Sequence, residues 1–362
     1  MLPSIFLLKI KEYFLYICYV ANITDKKKNM QDFYGFFSTN NSFLKVLCML
    51  LTTMLTLIVA KKIFFKLGFV DKPNYRSSHK KPVALGAGII IIPFIVFYSI
   101  FNNYEWNKNI LSSLLILFLI SIWDDIKNIK PLPRLFFHFI AIAIYVFLYL
   151  NPKIQQIYDY DKIVMYFFSV FLMFGITWFI NAFNFMDGIN GITSVEVISI
   201  CLSLITINFF LNKEINVLVF SILIIVSAFC YFNWSPASIF LGDAGSIPLG
   251  FITIFLLLEL ALEGMWVAAI ILPLYYLMDT GITLIKRVYN KKKIWKAHKE
   301  HYYQQAIQNG FSHSYVSLKL ILINLGLFFL SFSAVIYQNN LIFFVISIFW
   351  CSYFMFSFSN KN

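Results

Sequence analysis

Long apolar runs separated by short polar loops recur along this chain from residue 43 almost to its end. A helix needs about 20 apolar residues to cross a bilayer. On that rule the pattern predicts eleven spans: 43–64, 85–101, 110–123, 134–150, 163–181, 192–211, 215–232, 246–262, 265–285, 316–336 and 340–358. The expected fold is therefore an all-α polytopic membrane protein of 10–11 transmembrane helices, with its polar chemistry in the loops. Residues 43–358 read as one multi-span domain, 359–362 as a short tail and 1–42 as an N-terminal extension. In that extension the run Ile5–Val20 is interrupted by Lys9, Lys11 and Glu12, which suits neither a span nor a signal peptide. Met30 is the expected native start.

The loops fall into two alternating sets, and Lys and Arg separate them. One set (65–84, 124–133, 182–191, 233–245 and 286–315) carries seventeen basic residues in or beside it, the other four. The first set is thus expected in the cytoplasm. The chain is 60% hydrophobic and 13% charged, with a mean hydropathy of +0.76. A soluble core does not hide that much apolar surface. The net charge of +12 comes mostly from two loops beside spans. Anionic headgroups and an anionic substrate explain it better than nucleic acid does. Five cysteines scattered through apolar stretches give neither a disulfide framework nor a metal site.

Candidate chemistry concentrates in the basic set of loops. Asp124 and Asp125 follow a span, and two adjacent carboxylates do not both ionise cheaply at a membrane surface without a cation. Mg²⁺ on a substrate diphosphate is the natural partner, because it is held by few protein carboxylates plus phosphate oxygens. In NAFNFMDGING, Asn181, Asn184 and Asp187 recur every three residues, so a helix end is expected to present them on one face. Gly188 and Gly191 then break the helix and expose backbone N–H groups to an anion. Asp243 sits between glycines in FLGDAGS, fit for a metal ligand near phosphate, and Phe240 offers a face for a nucleobase. His298 and His301, flanked by Lys296 and Lys299, suit hydrogen bonding or charge against phosphate better than a transition metal. Arg76 and His79 lie in a second basic cluster, for which plain lipid electrostatics and a phosphate contact weigh about equally. Asp279 reads as supporting structure, paired with a basic neighbour.

The ordered series DKPNYRSSHKKP, WDD, NAFNFMDGING, FLGDAGS and HKEHYYQQ resembles the polyprenyl-phosphate N-acetylhexosamine-1-phosphate transferases, the glycosyltransferase 4 enzymes that include MraY, WecA and TagO. HKEHYYQQ with the following GFSH is most similar to the WbpL-like, O-antigen-initiating branch. The His-His-His-Phe-Glu pattern of MraY is missing, which speaks against the peptidoglycan precursor as substrate. The resemblance implies Mg²⁺ (or Mn²⁺) at Asp243, with Asp124 and Asp125 at the metal and lipid-phosphate end. It places Asn181, Asn184, Asp187 and Asn190 around the nucleotide, uracil on Phe240 and the diphosphate by His298 and His301. A second Asp common among relatives is Asn190 here, and PVALGAG replaces their glycine-rich, basic stretch.

The implied reaction is attack by a polyprenyl phosphate on a UDP-N-acetylhexosamine, releasing UMP, at the cytoplasmic face of a bacterial inner membrane; a homodimer is in keeping with the family. Two rival readings differ in their sequence demands. An intramembrane prenyltransferase needs a DDxxD-like spacing, whereas Asn128 and Asn190 stand at the corresponding places. A transporter or flippase with a carboxylate relay would carry its charges at mid-membrane on broken helices, not at span ends on one side.

Overall fold

Each predicted apolar run forms helix, and local caps explain where several of the helices begin. The structure, a computed structural model, describes residues 40–73, 81–158, 161–214, 216–293, 298–338 and 340–360. The helices are α1 (Asn40–Leu67), α2 (Gly88–Phe101), α3 (Lys108–Lys127), α4 (Pro131–Ile157), α5 (Lys162–Met186), α6 (Ile192–Phe210) and α7 (Val217–Asn233). They continue as α8 (Asp243–Leu260), α9 (Trp266–Ile271), α10 (Leu274–Tyr289), α11 (Tyr302–Gln308), α12 (His313–Ile336) and α13 (Ile342–Ser359). The side chains of Asn107, Asp161, Asn216 and Ser312 accept first-turn N–H groups of α3, α5, α7 and α12. α4 begins with a proline, whose missing N–H costs nothing there.

Among the described residues, eight helical stretches are long and apolar enough to cross a membrane, and the apolar α2 and α7 are shorter. The chain is an all-α, multi-pass membrane protein. One predicted span, 265–285, differs in form. A turn at Ala261–Met265, with Gly264 at φ 90°, folds α9 back against α8. The return leg then breaks at Leu272–Pro273 into α9 and the amphipathic α10. Proline has no N–H for the helix ladder, and a run of apolar residues does not show that break. α5 also runs past the predicted end at 181, to Met186, so Asn181 and Asn184 are helical.

A small sheet gathers two loops at one end of the bundle. β1 (Val70–Asp71) pairs antiparallel with β2 (Val83–Leu85), which pairs parallel with β3 (Ile239–Phe240). Immediately after β2 and β3, the starts of α2 and α8 meet backbone to backbone. A Cβ on Gly88 would lie 2.1 Å from the Gly245 nitrogen. Small residues permit this approach, as they do between membrane helices generally. The PVALGAG stretch therefore fixes the start of α8. Deeper in the bundle, the buried Glu196 of α6 accepts a 2.8 Å hydrogen bond from Asn324 of α12.

Candidate active site

The amino terminus of α8 is the centre of the site, and it is held by a carboxylate from another helix. Asp125, near the end of α3, accepts the backbone N–H of Asp243 at 2.9 Å on one oxygen and that of Ala244 at 3.0 Å on the other. First-turn amides have no partner within their helix and carry its positive dipole end, so an anion is favoured there. Gly242 adopts φ 78°, and a Cβ on it would come within 2.7 Å of the Asp125 carboxylate. Only glycine satisfies both conditions.

Asp243 itself receives two side chains. Asn184 of α5 donates its amide to Asp243 Oδ1 at 2.8 Å and to Ser246 Oγ at 2.8 Å. Arg134 of α4 lies 3.2 Å from Asp243 Oδ2 and 2.7 Å from Asp124 Oδ2. Asp124 also accepts the Ile129 N–H at 2.7 Å, closing the turn between α3 and α4. Both Asp124 oxygens are thus engaged, Oδ1 by the turn and Oδ2 by the guanidinium. Asp187 caps the end of α5 and accepts the Thr193 hydroxyl at 2.6 Å. Burial first, then the charges of Asp243 and Asp125, push the Asp187 carboxyl up to about 7 despite that hydrogen bond.

The loop after Asp187 is pinned by the opposite side of the bundle. Gly191 N–H bonds to Asn233 Oδ1 at 2.8 Å, and Asn190 O accepts from Ser317 Oγ at 2.8 Å. Asn190 N lies 3.3 Å from His313 Nδ1, while the buried Asn190 side-chain oxygen has no hydrogen-bond partner among the described residues. Asn181 turns elsewhere: its amide donates to Thr177 O and lies 3.5 Å from the buried His138. The expectation of one shared face for Asn181, Asn184 and Asp187 thus fails for Asn181. Phe240 lies in β3, where its carbonyl accepts the N–H groups of Gly86 and Ala87.

The histidine loop docks through a second inter-helix cap. Asp279 of α10, fully buried, accepts the N–H groups of Tyr302 at 2.9 Å and Tyr303 at 3.1 Å. His301 Nδ1 lies 3.2 Å from the same carboxylate, so Asp279 is the expected supporting residue with a basic neighbour. Tyr303 then donates to Phe185 O at 2.8 Å, beside Gly188, where a Cβ would sit 2.1 Å from the tyrosine oxygen. The His298 ring centre is 4.9 Å from that of His301. Burial and then the neighbouring His301 and Arg287 lower His298 to about 4. Lys286 bonds to the Tyr302 hydroxyl, and Arg287 pairs with Glu300 at 2.5 Å. Arg76 and His79 lie outside the described residues.

Asp124, Asp125, Asn184, Asp187 and Asp243 therefore meet at one end of the bundle, where Asp124 and Asp243 share the Arg134 guanidinium. Arg134 entered the sequence reading only as a charge fixing topology, and His138, Thr193 and Asn233 did not enter it. The one available signal for Arg134 was its place in the first turn of a helix just after the aspartate pair.

Residues 108–261 match the family model described as glycosyl transferase family 4. Over 309 residues it is 27% identical to a probable undecaprenyl-phosphate N-acetylglucosaminyl 1-phosphate transferase of Bacillus subtilis, covering 80% of this chain and 83% of that protein. It is 28% identical over 285 residues to the undecaprenyl-phosphate alpha-N-acetylglucosaminyl 1-phosphate transferase of Escherichia coli, covering 72% and 75%. A phospho-N-acetylmuramoyl-pentapeptide-transferase of Streptococcus agalactiae is 25% identical over 281 residues, covering 69% and 82%. That match and these relatives together make the chain a phosphoglycosyl transferase. The matched stretch runs from the start of α3 to just past α8 and holds both carboxylates that pair with Arg134 among the described residues. The histidine loop lies beyond it and reaches the site through Tyr303.

Proposed function

We propose that this enzyme transfers N-acetylhexosamine 1-phosphate from a UDP-sugar to polyprenyl phosphate, of the undecaprenyl type named for its relatives. The reaction would begin a lipid-linked envelope glycan such as O-antigen, on the cytoplasmic side of the inner membrane. The observation that carries this reading is the joining of Asp124 and Asp243, 119 positions apart in the chain, by one arginine at a helix amino terminus. A helix start and a guanidinium suit phosphate oxygens.

A terminal oxygen of the lipid phosphate attacks the β-phosphorus of the donor. The new P–O bond forms as the bond from the β-phosphorus to the bridging oxygen breaks, and that oxygen leaves with UMP. At neutral pH the lipid phosphate is largely ionised, so no side chain has to remove a proton. Arg134 steadies charge on the transferring phosphoryl group, and Asp124 aims it. Asp125 holds the start of α8 and so fixes the direction of Asp243. Asn184 sets the Asp243 carboxylate from the other side.

Four neighbouring carboxylates, of which two pair with one guanidinium, would repel a diphosphate, so the residues fit a hard divalent cation with an all-oxygen donor set. Asp243 would hold Mg²⁺ (or Mn²⁺), with Asp187 beside it; among the described residues no cluster of three ligands exists, and Mg²⁺ on a diphosphate does not require one. The ion supplies Lewis-acid neutralisation of the diphosphate when bound. Asn190, Phe240 and the His298–His301 loop remain the candidates for the nucleotide and diphosphate sides, with Arg76 and His79 in the second basic loop.

The test is UMP release by purified protein from a panel of UDP-N-acetylhexosamines, with undecaprenyl phosphate and Mg²⁺. Release that needs both additions is expected. Absence of release from the whole panel, by protein that remains monodisperse, would remove the reading.

A further inference from the structure

Away from the carboxylates, α12 and α13 enclose a crevice of about 300 Å³ that contains Phe311, Tyr315, Lys319, Tyr353, Ser357 and Asn360. It opens at the same end of the bundle as the candidate active site, because His313, at the start of α12, meets Asn190. Lys319 lies six residues into α12, about 9 Å along a helix axis. Its ammonium is 5.5 Å from the Tyr315 ring centre and 6.0 Å from that of Phe354. Among the described residues no carboxylate pairs with it. A cation at that depth is costly unless it reaches the interface or meets an anion.

A second groove, of about 420 Å³, continues from the first along α13 and shares Tyr353 with it. Ile346, Phe349 and Trp350 are its other walls, and Phe349 is 70% exposed. The two together match an amphiphile: a shallow, open apolar strip at membrane depth, then a cation with tyrosine, serine and asparagine hydrogen-bonding groups.

We propose that this paired crevice binds one anionic phospholipid of the leaflet on the active-site side, with its phosphate on Lys319 and an acyl chain along Ile346, Phe349 and Trp350. Charge complementarity selects this occupant over a zwitterionic lipid, whose own cation would compete for the phosphate. The lipid would also brace the histidine loop. Phe358, in the crevice wall, accepts the Asn309 amide at 2.9 Å, and its ring meets that of Tyr275 edge-on. Tyr275 in turn bonds to Asp279, the anchor of that loop. The inference does not depend on which donor or acceptor the enzyme uses.

Native mass spectrometry of the full-length protein, with dioleoyl phosphatidylglycerol or dioleoyl phosphatidylcholine at equal concentration, tests it. Wild-type protein is expected to retain one phosphatidylglycerol under activation that strips phosphatidylcholine. Lys319→Gln should lower that retention fivefold or more, Lys319→Arg should keep it, and Lys45→Gln, at the far end of the bundle, should not change it. Tyr353→Ser provides a second lesion if Lys319→Gln does not remain monodisperse, with the same loss expected. Equal retention of the two lipids, or undiminished retention in the variant that folds, overturns the proposal. So does undecaprenyl phosphate displacing phosphatidylglycerol at equal concentration, which would make the crevice an acceptor-lipid site.

Discussion

Asp125 reaches Asp243 through the backbone: its carboxylate accepts the Asp243 amide N–H at 2.9 Å while the Asp243 side chain points to Arg134 and Asn184. This separates two roles that adjacent aspartates leave open in the sequence. Asp125→Ala should lower stability by about 1–2 kcal/mol, the usual worth of a cap at a helix start, and should also lower turnover. Asp125→Asn keeps an acceptor oxygen but loses the charge, so its cost should be smaller. Both variants should keep the wild-type shape of the pH–rate profile, because the group is a positioning residue. Disappearance of an acid limb in Asp125→Asn would instead make it a general base.

Arg134 ties Asp124 to Asp243 through one terminal nitrogen, Nη1, which the rigid guanidinium plane holds between the two carboxylates. Arg134→Lys retains the charge without that fixed plane. We expect a loss in kcat of about 10²-fold or more, the scale of one oriented donor at a transferring group. Asp124→Asn should abolish most turnover by the same route. The double variant Asp124→Asn/Arg134→Lys should then be little worse than either single one, since both remove one interaction. Additive losses in that cycle would show that the two act separately.

Asp243→Asn should eliminate turnover while the protein stays folded, whereas Cys201→Ala, buried in α6, should leave turnover near wild type. Equal UMP release by wild type and Asp243→Asn would take Asp243 out of the reaction.

Much of this site was legible because membrane spans are limited by length and the basic loops by charge. The carboxylates at span ends were visible for that reason. What the sequence did not show was direction. Successive helical residues turn by about 100°, so positions three apart already diverge by about 60°. Asn181 therefore faces His138 while Asn184 reaches Asp243, although both obey a three-residue spacing. Capping at a distance is equally hidden. Asp125 and Asp279 each hold a helix start contributed by another part of the chain, and no local motif records such a pairing. Arg134 looked like one more basic residue until the fold set it between two carboxylates.

Gly188 gives the histidine loop room to approach. A methyl there would strike the Tyr303 hydroxyl, which bonds to Phe185 O. Gly188→Ala should therefore raise KM for the donor more than it lowers thermal stability, because the collision falls between the loop and the end of α5. Tyr303→Phe removes the oxygen at 2.1 Å but leaves ring carbon at 3.0 Å. Adding it to Gly188→Ala should restore part of the lost activity. A double variant worse than Gly188→Ala alone would place the defect elsewhere.

Asp187 sets a pH dependence whose sign can be worked out. Its folded-state pKa, about 7, lies above the ordinary value of 3.8 because burial, and then its neighbouring carboxylates, disfavour the charged form. Its neutral form is favoured in the fold, so its contribution to stability is complete below about 4 and declines as pH rises through about 7. A divalent cation favours the charged form and reverses that trend. In the presence of EDTA, the unfolding temperature should fall between pH 5 and pH 8; with Mg²⁺ the fall should shrink. The Mg²⁺ concentration for half-maximal UMP release should likewise drop as pH rises, levelling above about 7. Asp187→Asn should flatten both responses. A Mg²⁺ requirement that ignores pH over this range, in protein whose unfolding temperature also ignores Mg²⁺, would separate Asp187 from the cation.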